Sequence, residues 1–429
     1  MTEYVESKQI KSLGSVKKSF IKSVLALQHL IAMFGATVLV PIITGMDPSV
    51  ALLSAGIGTL IFHFCTKGKV PVFLGSSFAF IPVIGVVASQ YGDLRYAQGG
   101  IFVAGIVYVI VSFLVKKIGV SNIRKVLPAQ VVGPMIIVIG VNLIPTALDM
   151  AGLNSFIAGE ANSTISMLIA IITLSLALGI KKFCNGLISQ LSIIIAVLIG
   201  YGLSLVLGLV DIAVIQEAKV LAIPNFTLPK FDFGAVMVIV PVVLAVFMEH
   251  VGDITTNGTV VGENFIEDPG LNRTLLGDGL ATIAASLIGG PANTTYGENT
   301  GVLAITKNYD PSILRLTAIF AIMLGFIDKF GAIIRTIPEA VMGGISVMLF
   351  SMIAIVGVNT IKNEGVKFNI KNIIVMGAIL FIGLSGLFMK EPLGINIVEG
   401  VAISGLSLSA IVGVILNILL TKISNIINK

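Results

Sequence analysis

The polar residues from Gly290 to Lys307 are those in this chain whose types and spacing could do chemistry. They read Gly-Pro-Ala-Asn-Thr-Thr-Tyr-Gly-Glu-Asn-Thr-Gly-Val-Leu-Ala-Ile-Thr-Lys and lie between two long apolar runs. Glu298 has no cation beside it, and its carboxyl group could accept hydrogen bonds or carry a proton. Turn-rich backbone and an ionisable side chain between apolar runs are typical of a cavity inside a membrane protein. We therefore expect this stretch to form a binding site.

The composition decides the class of protein. The chain has 429 residues, of which 56% are hydrophobic and only 11% charged, and its mean hydropathy is +1.03. Soluble domains carry about 25% charged residues, so the sequence predicts an integral membrane protein in contact with lipid. The net charge of +5 comes from short loops, which indicates membrane topology rather than a nucleic-acid partner.

The apolar runs predict about fourteen membrane-spanning segments after a polar, basic lead at residues 1–22. The predicted bounds are 23–41, 50–66, 77–90, 97–115, 129–147, 163–180, 187–210, 234–252, 274–289, 297–306, 312–327, 338–358, 372–388 and 395–420. Several are shorter than the roughly 20 residues of a full crossing. Most of the 27 Lys and Arg residues fall in loops on the side of the N-terminus. This positive-inside pattern favours an even number of spans, with both termini in the cytoplasm.

Two interrupted segments occupy matching positions in the chain. These segments are Pro71–Pro82 and the polar stretch Gly290–Lys307. Each leads into the third span of a half, if the chain divides as seven plus seven near Lys230. Interrupted segments at matching positions of two halves indicate the binding site of a transporter. Halves of seven spans have opposite orientations. The simpler alternative is a pair of ordinary apolar loops.

A second pair of polar groups recurs in the first span of each half. Gln28 and His29 lie in an apolar run, and the sequence Glu-His-Val-Gly-Asp at 249–253 follows another. Glu249 and Asp253 are four residues apart and share a helix face. The alternative for the two acids is a helix end at the cytoplasmic interface. For His29, a packed histidine hydrogen-bonded between helices is favoured over a role in proton coupling.

Here the residues resemble a known family. Glu298-Asn299-Thr300-Gly301, followed by Thr306-Lys307, matches the signature of the nucleobase–ascorbate transporters, also called nucleobase–cation symporter family 2. The motifs Asn-Thr-Thr-Tyr-Gly at 293–297, Leu-Gly-Ser-Ser-Phe at 74–78 and Glu-His-Val-Gly at 249–252 resemble those of its uracil permeases. The resemblance extends over nearly the whole chain.

The resemblance implies an all-α polytopic membrane protein with a seven-plus-seven inverted repeat. Residues 23–125 and 231–330 would form a core domain, and residues 126–230 and 331–429 a gate domain. The interrupted third and tenth segments would contain two short antiparallel strands at mid-membrane. The implied function is proton-coupled import of uracil across the cytoplasmic membrane, by movement of the core against the gate. The family also suggests a homodimer formed through the gate domain.

The family's residue roles carry over by position. Glu249 and Glu298 resemble the carboxyls that hold the pyrimidine, and Phe78 and Gly297 the residues whose backbone N–H groups meet its carbonyl oxygens. The other implied site residues are Tyr296, an aromatic side chain beside the site, and Ser77 and Asn299, which adjoin contact residues.

Proton coupling is implied for Asp253, Glu298 and His29, with H⁺ as the coupling ion and no other cofactor. Asp253 departs from a histidine found in a well-studied uracil permease, and Phe350 stands where that permease has a tyrosine. Because Asp253 replaces that histidine, the resemblance does not determine which residues carry the proton.

The chemistry of uracil suits these residues. Carboxylates can accept from its two ring N–H groups, and backbone N–H groups at helix starts can donate to its two carbonyl oxygens. Two neighbouring buried carboxyls do not ionise together easily, which would suit proton coupling.

Three other functions compete with uracil import. Transport of another nucleobase such as xanthine is the nearest, and anion transport by a similar fold would want a cationic site. An intramembrane enzyme is disfavoured because the sequence has no His-Glu-x-x-His motif, and His29, His63 and His250 are too scattered to suggest a zinc site.

Overall fold

The structure is a computed structural model and describes residues 15–119, 122, 127–160, 163–398 and 401–427. Most of these residues are helical. The helices are α1 (Ser15–Thr44), α2 (Pro48–Cys65), α3 (Ile81–Tyr91), α4 (Leu94–Ile118), α5 (Ala129–Met150), α6 (Leu153–Ile157), α7 (Ser163–Phe183), α8 (Gly186–Gln190), α9 (Ser192–Val206), α10 (Ile212–Glu217), α11 (Phe233–Ile239), α12 (Val243–Val261), α13 (Leu271–Ile288), α14 (Gly297–Thr306), α15 (Pro311–Gly325), α16 (Asp328–Arg335), α17 (Glu339–Asn363), α18 (Ile370–Gly383) and α19 (Gly405–Ile427). Shorter helical turns occur at Phe78–Phe80, Val240–Val242, Ile266–Gly270 and Ser385–Leu387.

The long helices have the length and composition of membrane spans. Among the described residues, eight helical stretches are long and apolar enough to cross a membrane, or nine if α15 and α16, which meet at 82°, form one span. Shorter apolar helices cover Phe78–Tyr91, Ser192–Val206 and Ile370–Gly383. The predicted class of helical, multi-pass membrane protein is confirmed, whereas the number of fourteen segments stays a prediction.

Two short strands lie where the chain is interrupted. Strand β1 (Leu74–Ser76) pairs antiparallel with β2 (Asn293–Thr295), and Gly75 is opposite Thr294. The N–H of Leu74 donates to the hydroxyl of Thr59 on α2, and the N–H of Asn293 donates to that of Thr282 on α13, at 2.9 and 3.3 Å. Backbone polar groups surrounded by apolar side chains need such partners. The two threonines therefore anchor the strands in equivalent ways.

The last predicted segment needs a correction. The sequence predicted one span over 395–420, but the structure forms an antiparallel hairpin of β3 (Gly394–Val398) and β4 (Val401–Ser404) before α19 begins. The sequence analysis did not predict these two strands, which are additional to those expected in the interrupted third and tenth segments. Isoleucine and valine favour strands, and a short apolar run does not distinguish a strand from a helix by hydropathy alone.

The helices pack in two groups. In the first group α13 packs on both α2 and α4, and α15 packs on α1 and α2; in the second, α17 packs on α5 and α7, and α18 on α5 and α19. Glycines allow the closest approaches. A Cβ at Gly105 would lie 3.0 Å from the carbonyl oxygen of Gly279, and one at Gly140 would lie 2.6 Å from that of Phe350. Small residues at helix contacts are typical of membrane proteins.

Candidate substrate-binding site

The paired strands direct two helix starts toward each other. Beyond the paired residues, the N–H of Ser77 donates to Ala292 O at 2.8 Å, and the N–H of Tyr296 donates to Phe73 O at 3.1 Å. The next residues along the chain are Phe78 and Gly297, where helical structure begins. The first N–H groups of a helix lack partners within the helix and lie at the positive end of its dipole. The two interruptions thus bring unpaired backbone donors to the interior of the fold.

Space is open in front of Gly297. This glycine is exposed, and a Cβ built on it meets no atom within 4 Å. Phe78 is half-buried, and its ring centre lies 6.1 Å from that of Phe350 in an edge-on arrangement. Both predicted backbone-donor residues therefore border accessible space rather than packed core.

The side chain of Tyr296 packs against β1. Its ring is 4% exposed, and its hydroxyl donates to Ser76 O at 2.9 Å. The ring covers Gly75, where a Cβ would lie 2.3 Å from two ring carbons. Tyr296 thus supports β1 from within the core, and the implied place of its ring beside the substrate stays a prediction.

Glu249 and Glu298 approach each other from different helices. Glu249 lies on α12 and Glu298 in the first turn of α14; both are half-buried, and Glu249 is an electrostatic neighbour of Glu298. Within the described part of the chain, the carboxyl of Glu249 makes no hydrogen bond or ion pair with another side chain. Repulsion opposes simultaneous ionisation of two such groups. A ligand that donates hydrogen bonds would satisfy them.

Asp253 follows one turn after Glu249 on α12. Its Oδ2 accepts a hydrogen bond from Thr295 Oγ1 at 2.8 Å, which links α12 to β2. Glu249, Gly252 and Asp253 all line a cavity of about 740 Å³. The shared helix face predicted for the two acids is present, and it faces this cavity.

The opposite wall of the cavity comes from α5, α17 and the residues after α17. Its polar members include Gln130, Asn359, Asn363, Lys367 and Asn372. Sequence reasoning missed Gln130 and the three asparagines, although Asn359 and Asn363 are four residues apart on one helix and could have been recognised as a polar face. Among the described residues that line the cavity, Glu298, Phe78 and Gly297 are absent. The cavity thus includes one of the two predicted binding carboxyls, not both.

Asn299 and His29 connect α14, the helix that contains the family signature, to α1. Asn299 Nδ2 lies 3.1 Å from His29 Nδ1 and donates to His29 O at 3.2 Å, and both side chains are buried. This is the packed arrangement that the simpler interpretation of His29 expected. A coupling role for His29 stays a prediction. Ser77 is also buried, and its hydroxyl has no hydrogen-bond partner among the described residues.

Two anchors of α12 escaped the sequence analysis. Asn257 Nδ2 donates to Pro71 O and to Thr300 Oγ1, each at 3.1 Å. His250 Nδ1 lies 2.7 Å from Asp278 Oδ2 on α13. An acidic residue in the middle of an apolar helical run is a recognisable signal, and Asp278 could have been found by it.

Comparison with known proteins decides the family. A family model described as "Permease family" matches residues 20–391. The chain belongs to this permease family. Membership makes it a membrane-embedded transporter rather than an enzyme.

The permease is similar along its length to several uracil permeases. It is 42% identical to the uracil permease of Bacillus subtilis over 406 residues, and this match covers 92% of each chain. It is 39% identical over 402 residues to that of Escherichia coli, covering 93% of this chain and 91% of the other. A probable uracil permease of Haemophilus influenzae is 40% identical over 427 residues, or 99% of each chain.

Solved structures share the fold at low sequence identity. The transmembrane domain of a cyanobacterium bicarbonate transporter, BicA, matches with a TM-score of 0.61 and 17% identity, over 93% of this chain and 97% of that one. Murine Slc26a9, an anion transporter in the inward-facing state, matches with a TM-score of 0.68 and 11% identity, over 94% and 68% of the two chains. At these identities the likeness concerns the fold alone.

Proposed function

We propose that this permease imports uracil across the cytoplasmic membrane together with protons. The observation that carries the proposal is the pair of half-buried carboxyls, Glu249 and Glu298, beside the helix starts at Phe78 and Gly297. The first N–H groups of a helix have no partner within it. The relatives named uracil permeases, at about 40% identity along nearly the whole chain, support the choice of substrate.

The carboxyls would accept from the ring N–H groups of uracil. The backbone N–H groups of Phe78 and Gly297 would donate to its carbonyl oxygens, and the open space at Gly297 supports this assignment. Phe78 is half-buried and its ring is suited to contact a flat pyrimidine. Two neighbours of these contacts, Ser77 and Tyr296, would hold the backbone through the strand ladder.

Asn299 would hold α14 against α1 through its bonds to His29. Proton exchange would involve Asp253 and Glu298, with H⁺ as the coupling ion and no further cofactor. Asp253 lies on the cavity face with Glu249, so a proton from the aqueous side could reach it. His29 is the third candidate for coupling.

The proposed architecture has fourteen segments in two inverted repeats of seven, with both termini in the cytoplasm. Residues 23–125 and 231–330 form the core, which contains the short strands in its third and tenth segments; residues 126–230 and 331–429 form the gate. The two packing groups of helices and the equivalent threonine anchors, Thr59 and Thr282, support this division. The core would move against the gate, and a homodimer would form through the gate.

The proposed orientation, with both termini in the cytoplasm, would put the 740 Å³ cavity on the cytoplasmic side of the membrane. Its rim carries Lys367, a residue of a loop that the positive-inside pattern places in the cytoplasm. On this proposal the structure has the shape of an inward-facing state, in which Glu249 and Asp253 are accessible from inside.

Uptake of radiolabelled uracil into proteoliposomes tests the proposal. We expect accumulation when the outside is made acidic, little without a pH gradient, and no requirement for Na⁺. Failure to take up uracil under any gradient refutes the proposed substrate. Competition by xanthine, adenine and thymine distinguishes another nucleobase permease, and competition by bicarbonate or sulfate distinguishes an anion transporter of the same fold.

A further inference from the structure

A buried acid–histidine pair lies behind the candidate site. His250 on α12 is 0% exposed and Asp278 on α13 is 1% exposed, and their Nδ1 and Oδ2 atoms are 2.7 Å apart. The other ring nitrogen of His250, Nε2, lies 2.8 Å from Thr274 Oγ1. Both nitrogens of this histidine are therefore held by α13.

The hydrogen bonds of Thr274 locate one proton on the imidazole of His250. The hydroxyl of Thr274 donates to Leu271 O at 3.0 Å, so it can only accept from His250, and Nε2 carries a hydrogen. If one further proton lies between His250 Nδ1 and Asp278 Oδ2, the pair is neutral overall. This accounts for two buried ionisable groups without an uncompensated charge, which would be strongly destabilising.

Few other polar groups surround the pair. Tyr108 on α4 has a buried hydroxyl without a hydrogen-bond partner among the described residues, and it is an electrostatic neighbour of Asp278 and Glu249. On α12 itself, Asp253 is an electrostatic neighbour of His250. The pair is thus enclosed by protein and adjoins the carboxyls of the site.

We propose that His250 and Asp278 are positioning residues for Glu249. His250 follows Glu249 on the same helix, and neighbouring helical residues point about 100° apart. With His250 held against α13, the residues Glu249, Gly252 and Asp253 face the cavity. Rotation of α12 would break the hydrogen bond between the imidazole and Thr274 and would separate Nδ1 from Asp278. Asn257, two turns later, holds the same buried face of α12 to Pro71 and Thr300.

The role rests on the proposed function, since uracil is the ligand that Glu249 would hold. Hydrogen-bonding groups must be positioned within about 0.5 Å to act together on one ligand. Loss of the pair should therefore weaken uracil binding even though neither residue lines the cavity.

Calorimetry of uracil binding to the purified permease tests the role. Asp278→Ala leaves Nδ1 of His250 without its partner, and we expect the dissociation constant to rise about tenfold. Asp278→Asn keeps a group that can donate to Nδ1 of a neutral imidazole, and we expect a change of less than about threefold. Thr336→Val is the control, because it removes a hydrogen bond to Tyr201 away from α12 and should leave affinity unchanged.

A double-mutant cycle separates positioning from general loosening of the fold. In a Glu249→Gln background, whose weak binding is measured by competition at high uracil concentration, Asp278→Ala should cause little further loss. The same tenfold loss in both backgrounds overturns the proposal, as does wild-type affinity of Asp278→Ala or equal losses in the Ala and Asn variants.

If Asp278→Ala does not fold, His250→Ala combined with Asp278→Ala replaces it, because this variant leaves no lone buried charge. It should bind about tenfold more weakly than the wild type, and wild-type affinity overturns the proposal. Failure of the wild-type permease to bind uracil is a separate result that refutes the proposed function instead.

Discussion

Gly75 is the residue whose substitution tests the strand pair most directly. It lies in β1, opposite Thr294, with the ring of Tyr296 packed against its α-carbon. A Cβ at this position would lie 2.3 Å from two ring carbons and 2.8 Å from the hydroxyl oxygen of Tyr296. The ring is buried in a cluster that includes Met33 and Phe73, so it has little space to move. Gly75→Ala must displace either the ring or the strand.

The magnitude follows from these contacts. Overpacking a core by a methyl group costs about 1–3 kcal/mol, and loss of the bond from Tyr296 to Ser76 O adds about 0.5–1.5 kcal/mol. The strand pair sets the positions of Phe78 and Gly297, so part of this free energy should appear in binding. Since about 1.4 kcal/mol corresponds to tenfold in affinity, we expect uracil to bind about tenfold more weakly.

The assay combines thermal unfolding of the purified permease with calorimetry of uracil binding. The matched control is Gly85→Ala in α3, where a Cβ meets no atom within 4 Å. This change should preserve affinity and favour the helix by up to about 1 kcal/mol. Wild-type affinity in folded Gly75→Ala, or an equal loss in Gly85→Ala, would refute the reasoning.

Four further predictions concern the site. Glu298→Gln should fold but take up uracil far more slowly in proteoliposomes, and wild-type uptake would remove Glu298 from the site. Glu249→Ala should weaken binding about tenfold or more, because hydrogen bonds to charged groups contribute about 1.5–3 kcal/mol; an unchanged calorimetric affinity would leave it an interface residue. Cytosine should compete poorly with labelled uracil and 5-fluorouracil well, since cytosine presents a bare nitrogen and an amino group; comparable inhibition contradicts the contacts. Asp253→Asn should shift the pH profile of net uptake and impair uracil exchange less, whereas equal loss of both with an unchanged profile indicates structural support only.

Hydropathy was enough to find most of the helices. The predicted segments 129–147 and 163–180 correspond to Ala129–Met150 and Ser163–Phe183 in the structure. Apolar runs determine such elements because a membrane-embedded backbone must bond within its own helix. The same argument failed at residues 394–404, where β3 and β4 bond to each other instead. In the hairpin each strand bonds to the other along one edge, and composition alone does not distinguish this arrangement from a helix.

The hydropathy pattern could not predict which residues far apart in the sequence contact each other. Ser76 and Asn293 are paired across more than two hundred residues, and before the structure only the family resemblance suggested such pairing. The acidic side chain of Asp278 could have been noticed, but its partner His250 could not, because the contact depends on how α12 and α13 pack. The sequence therefore indicates which residues are chemically unusual, while packing determines which of them meet.

The interior acids differ in how they are satisfied, and this difference bears on coupling. Asp278 has His250, and Asp253 has the hydroxyl of Thr295, whereas Glu249 makes no side-chain bond within the described residues. A carboxylate without a partner can be satisfied by a proton or by an N–H group of the substrate. On the proposed function, uracil and protons would therefore act on the same groups. Ligands that alter each other's affinity are thermodynamically coupled in both directions. Import together with protons needs uracil and the proton to favour each other. They would do so if a proton on one of the neighbouring carboxyls, Glu249 or Glu298, removed their repulsion and left the other to accept from a ring N–H group of uracil.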